Sequence, residues 1–223
     1  MITPRNREHG ALRAGEHALP RGPRKSMTRL VVVTAGLSQP SSTRILADQL
    51  TAASVAALEA DGLAVDVEVV ELRDLAHAIT DNLLTGFPSG ALADAVSSVA
   101  VADAVIAVTP VFSASYSGLF KSFFDILEDG ALDGTPVLMA ATAGTARHSL
   151  VLEHALRPLF SYLHAAALPT AVFAASEDFG SPGLSGRIGR AAGELADAVL
   201  RRPRLRVVDQ LEEVTPFEEL LRG

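Results

Sequence analysis

Five short strand-like segments, separated by stretches of helical periodicity, constrain this chain more than any other feature. Leu30–Ala35, Val65–Leu72, Ala104–Thr109, Pro136–Ala141 and Thr170–Ala175 read as strands. Helical segments are expected over Thr43–Asp61, where Ile45, Leu46, Leu50, Val55 and Leu58 share a face and Gly62 ends the run, and over Asp94–Ala102. Ser117–Leu127, Leu150–Ala165 and Ile188–Arg201 follow the same pattern, and a loop with Gly86, Pro88 and Gly90 precedes the second helix. Strand and helix in alternation predict a parallel sheet covered on both faces. Right-handed crossovers make that α/β sheet doubly wound. The third run is apolar throughout, as a central parallel strand should be.

In such sheets ligands bind beyond the carboxyl ends of the strands. Three loops leave those ends, at 36–43, 110–117 and 142–149. The first holds Ser38, Gln39, Pro40, Ser41, Ser42 and Thr43 ahead of a helix. Hydroxyls and backbone N–H groups at a helix N-terminus form a site for a phosphate dianion. A loop built on hydroxyls rather than glycines favours a flavin mononucleotide phosphate over a dinucleotide. The plain alternative is an ordinary N-cap by Ser42 or Thr43.

The second loop carries Pro110, which is expected to stop the third strand, then Val111, Phe112, Ser113, Ser115 and Tyr116. Flat apolar groups beside hydrogen-bonding hydroxyls suit an isoalloxazine ring. The plain alternative for Phe112 and Tyr116 is that they are core aromatics. In the third loop Thr142, Ala143, Gly144 and Thr145 allow close backbone approach to a ring, and Arg147 and His148 bring charge beside it.

Taken in order, these three segments resemble the NAD(P)H-dependent FMN reductases of the flavodoxin-like superfamily, over about residues 28–180. The most specific is the stretch from Thr109 to Lys121, which is similar to that family's Thr-Pro-x-(Tyr/Phe)-x-x-Ser-Tyr-x-x-x-x-Lys pattern. The resemblance implies a five-stranded sheet of order 2-1-3-4-5. It implies FMN phosphate on Ser38, Gln39, Ser41, Ser42 and Thr43. The ring would lie on Pro110, Val111, Phe112, Ser113, Ser115 and Tyr116, with Thr142, Ala143, Gly144 and Thr145 at its other edge. Many relatives have Arg where Gln39 stands, which leaves Arg44 or Arg147 to supply charge, or the flavin to bind weakly and leave. FMN and NAD(P)H are the implied cofactors, with hydride passing from nicotinamide to flavin N5. No proton-transfer residue is needed, and His148 is the candidate contact to the ring edge or the nucleotide phosphates. The third loop is similar to the subgroup paired with luciferase-like flavin monooxygenases, which implies such a partner. A cytoplasmic homodimer or tetramer is expected, with the helix of Phe120, Phe123 and Phe124 as its interface, although Phe123 and Phe124 read as core residues or dimer contacts. Two alternatives share the scaffold. A flavodoxin-type electron carrier is disfavoured by the absence of Trp and the presence of only 2 Tyr. The other is a quinone or azo-compound reductase.

Composition narrows the rest. Residues 1–26 hold six basic against two acidic side chains, a net of +4, which leaves −11 for the remainder of a chain of net charge −7. An acidic body disfavours nucleic acid as the main partner. The basic head has no apolar h-region and reads as a disordered extension, with Met27 a candidate start; residues 203–223 read as an acidic tail, leaving 27–202 as the domain. Cysteine is absent, which excludes disulfides and thiolate chemistry. No apolar run reaches the ~18–20 residues of a membrane helix. His148, His154 and His164 are spaced by six and ten, so no metal site is expected on a helix face. The P-loop pattern is missing, Gly36 stands alone where a Gly-x-Gly-x-x-Gly would begin, and no acidic residues follow the first strand as in a phospho-receiver.

Overall fold

The computed structural model describes residues 27–202. The expected basic head and acidic tail lie outside the described residues. Strand β1 (Met27–Thr34) pairs in parallel with β2 (Ala64–Glu71) on one side and β3 (Ala104–Phe112) on the other. β3 pairs with β5 (Pro136–Ala143), and β5 with two short pieces, β6 (Ala166–Ala167) and β7 (Val172–Ala175). Taking β6 and β7 as one interrupted strand gives the expected 2-1-3-4-5 order of a flavodoxin-like sheet. The sheet has seven strands rather than five, because the last strand is split and a two-residue strand, β4 (Ser115–Tyr116), folds back antiparallel on β3.

Alternation along the strands builds two cores. Leu30 and Val32 of β1 face the layer of α1 (Ser42–Ala60) and α6 (Pro182–Arg201). Val31 and Val33 face the layer of α2 (Ala76–Thr85), α3 (Ala91–Ala100), α4 (Gly118–Asp125) and α5 (Arg157–Tyr162). α2 falls where the sequence suggests only loop, and its C-terminus is closed by Gly86 at φ 81°, a left-handed cap.

Helix α4 turns Phe120, Phe123 and Phe124 inward, all at most 1% exposed, against Phe160 of α5. Ring centroids lie 4.7 Å apart for Phe120–Phe124 and 5.0 Å for Phe124–Phe160, the latter edge to face at 83°. The expected interface on these three rings is therefore overturned: they are the core of a single chain.

Two further expectations are corrected. Pro110 does not stop the third strand. β3 continues through it to Phe112, since Pro110 is its last partner to β5, opposite Thr142, and beyond it the strand needs no N–H from that residue. The helix expected over Leu150–Ala165 is a π-helical stretch, Leu152–Leu156, running into the shorter α5, which ends at Tyr162.

Ser113 (φ 48°) and Ala114 (φ 68°) join β3 to β4 as a two-residue turn with both central residues in the left-handed region. Neither is glycine or asparagine, so the turn holds about 1–2 kcal/mol of strain per residue. Ser113→Asn with Ala114→Gly is expected to raise the unfolding midpoint by a few degrees. A midpoint unchanged or lowered in thermal unfolding contradicts that reading.

Candidate functional site

The carboxyl ends of β1, β3, β5 and β7 border one cleft of about 320 Å³. Leu37, Ser38, Ser41, Ser42 and Thr43 line it from the first loop, Pro110, Val111 and Phe112 from the second, and Thr142, Ala143 and Gly144 from the third; Ser176 closes it. Ten of the fifteen sequence-predicted residues thus converge. Five do not line the cleft. Gln39 is exposed on the first loop, and Ser113 forms the hairpin turn. Ser115 and Tyr116 line a neighbouring cleft with Lys121 and His154, and Tyr116 packs 6.0 Å from Phe120. Thr145 accepts a bond from Arg147 Nε at 3.1 Å.

Leu37 and Ser176 were not expected. Ser176 was legible in principle, since it follows the last strand at the same edge as the other loops. Leu37 is an apolar residue in a hydroxyl-rich loop, half exposed at 50%, and carries no sequence signal.

The first loop is shaped by one close approach. Ala35 N–H donates to Val108 O at 3.0 Å, which ties the end of β1 to β3. A Cβ on Gly36 would stand 2.1 Å from Ser41 Oγ and 3.1–3.2 Å from the Cβ atoms of Ser41 and Thr43. Only a residue without a side chain lets the loop fold back on the helix start.

Ser41 is the N-cap of α1, and its Oγ accepts Arg44 N–H at 3.2 Å. Neither Ser42 N–H nor Thr43 N–H has an acceptor among the described residues. α1 is 19 residues long, and its N-terminus carries a partial charge of about +0.5. Two free donors, a positive dipole end and surrounding hydroxyls make an anion seat.

At the floor, Thr43 and Thr142 are 3% and 4% exposed, and their Oγ1 atoms share a hydrogen bond of 2.8 Å. This bond links the first loop to the third. Thr43→Val or Thr142→Val alone strands a buried hydroxyl, at an expected cost of about 1–3 kcal/mol. The double substitution is expected to cost less than the two singles together, as read by urea unfolding. Additive losses contradict a direct bond.

None of the cleft-lining residues is charged. Arg44 does not supply a cation. Its Nε bonds Asp48 Oδ1 at 2.7 Å and its other arm bonds Glu71. The Asp48 bond above all, with Glu71, holds this guanidinium more firmly protonated than usual. No acidic or basic side chain is among the residues that line the cleft. Among the described residues no three His, Asp or Glu side chains gather as a metal site, and no helix is long and apolar enough to cross a membrane.

The family model described as NADPH-dependent FMN reductase matches residues 28–180. An FMN reductase (NADPH) of Pseudomonas aeruginosa is 40% identical over 151 residues, 68% of this chain and 78% of that protein. The NADH-dependent FMN reductase SfnF of Pseudomonas putida is 38% identical over 154 residues, 69% of this chain and 81% of that protein. The crystal structure of an oxidoreductase from Corynebacterium diphtheriae is 49% identical with a TM-score of 0.77, covering 79% of this chain and 99% of that one.

Proposed function

We infer from the family to which this chain belongs, the NADPH-dependent FMN reductases, that the cleft binds FMN and admits NAD(P)H over it. The anion seat at the start of α1 is the observation that carries this reading. Ser42 and Thr43 N–H, with the hydroxyls of Ser38 and Ser41, would hold the flavin phosphate. Pro110, Val111 and Phe112 would face the ring, and the backbone of Thr142, Ala143 and Gly144 would approach its polar edge. FMN, when bound, supplies the two-electron acceptor for the nicotinamide hydride.

The chain's own residues then have limited tasks. The Thr43–Thr142 bond fixes the distance between the phosphate seat and the ring edge. Phe112, 45% exposed, offers a face at the rim where a second ring can stack. Phosphate held by a helix end and hydroxyls, with no salt bridge, suits a flavin that exchanges with solution. On that ground the reduced FMN is a product handed to a partner, and a flavin-dependent monooxygenase is the partner class proposed. A cytoplasmic homo-oligomer built on residues 27–202 completes the proposal.

The test is oxidation of NADPH and NADH by the purified protein with and without FMN, after its visible spectrum is recorded. Oxidation saturating in free FMN supports the reading. A yellow protein that oxidises neither nucleotide points instead to an electron carrier, and a colourless protein without FMN affinity overturns the site.

A further inference from the structure

We propose that Arg147 is the residue that receives a phosphate of the incoming nicotinamide dinucleotide. The inference rests on the reductase reading and goes beyond it by naming the group that recognises the hydride donor. A reductase must bind two anionic ligands at one cleft. The flavin phosphate has the start of α1. The dinucleotide is more highly charged, and it approaches a body whose residues beyond the basic head sum to −11. Without a local cation at the rim, that field opposes association.

Most candidate cations are already engaged. Arg44 is held by Asp48 and Glu71, Lys121 bonds Asp125, and Arg187 is paired with Asp178. Among the described residues, Arg29, Arg147, Arg190 and Arg202 form no carboxylate pair. Arg29 lies at the opposite end of β1 from the cleft, and Arg190 stands in the middle of α6. Arg202 donates to the carbonyls of Ala102 and Asp103. Arg147 alone of these four belongs to a loop that borders the cleft, three residues beyond the lining Gly144. Its Nε is tethered to Thr145 Oγ1 at 3.1 Å, which leaves the two terminal nitrogens of the guanidinium without a described partner. A planar fork held by its Nε and exposed at the tip matches a phosphate bidentately.

The test measures NADP⁺ and NAD⁺ binding by titration calorimetry to the wild-type protein, Arg147→Ala and Arg147→Lys, alongside FMN affinity and steady-state oxidation. Arg147→Ala is expected to weaken nucleotide binding about tenfold or more, with a matching rise in KM and little change in kcat. FMN affinity and the unfolding midpoint should stay unchanged, and Arg147→Lys should recover part of the loss. Loss confined to NADP⁺ assigns the 2′-phosphate. Equal loss for both nucleotides assigns the pyrophosphate. Unchanged nucleotide binding in Arg147→Ala overturns the proposal while leaving the reductase reading intact, as does a loss of FMN affinity alone. A wild-type protein that neither binds nor oxidises either nucleotide overturns both.

Discussion

Gly36→Ala is expected to abolish most FMN affinity while leaving the protein folded. The new methyl would stand 2.1 Å from Ser41 Oγ, so the serine must rotate and surrender its cap on Arg44 N–H. That cap is worth about 1 kcal/mol. Rotation alone does not relieve the contacts of 3.1–3.2 Å to the Cβ atoms of Ser41 and Thr43, so the chain itself must shift. Because Thr43 is bonded to Thr142 across the cleft floor, the shift reaches the third loop as well. A misplacement of a few tenths of an ångström at each phosphate donor is expected to weaken FMN binding at least tenfold, or about 1.4 kcal/mol. Fluorescence titration of FMN, with circular dichroism to confirm the fold, checks this. Wild-type affinity in Gly36→Ala would show that the first loop does not hold the phosphate.

Phe124→Ala is expected to have the largest effect on stability. Phe124 is 1% exposed and touches Phe120, Phe123 and Phe160. Its removal leaves a cavity ringed by rigid aromatic groups that cannot collapse into it, at a cost of about 3–5 kcal/mol. The midpoint should fall by about 10 °C. Urea unfolding gives the free energy, and mass in solution gives the association state. A fall in mass with stability retained would restore these rings to an interface.

The sheet was legible because β1, β3 and β5 carry short apolar runs at the right spacing, buried over most of their length, while β2 alternates valines with Asp66 and Glu68. Helix α2 was missed because its buried face comes down to Ile79 and Asn82, too few apolar positions to set a period beside the glycines that follow. The split of the last strand was hidden because Thr170 and Ala171 have strand-like composition. The structure gives Thr170 N–H to Glu194 Oε2 at 2.8 Å instead of to the sheet. At the site, the hydroxyl-rich loop and the Thr-Pro segment announced themselves by composition. Gly36 stands outside any glycine motif, and its role depends on what a Cβ would strike, which spacing in sequence does not reveal. The engagement of Arg44 by Glu71, 27 residues away, is likewise a property of the folded arrangement.

The interrupted outer strand also bears on solubility. A sheet edge with a long row of open N–H and C=O groups is a template for pairing with other chains. Here one edge is cut into pieces of two and four residues, β6 and β7. Several groups in the gap are occupied: Arg157 donates to the carbonyls of Leu168 and Pro169, and Glu194 accepts from Thr170 N–H. Pro169 itself has no N–H to offer. The opposite edge, β2, is a continuous eight residues and is guarded by charge instead, with Asp66 and Glu68 in its exposed middle. Each margin of the sheet thus carries its own barrier to aggregation, one made by breaking the strand and one by repelling a second copy.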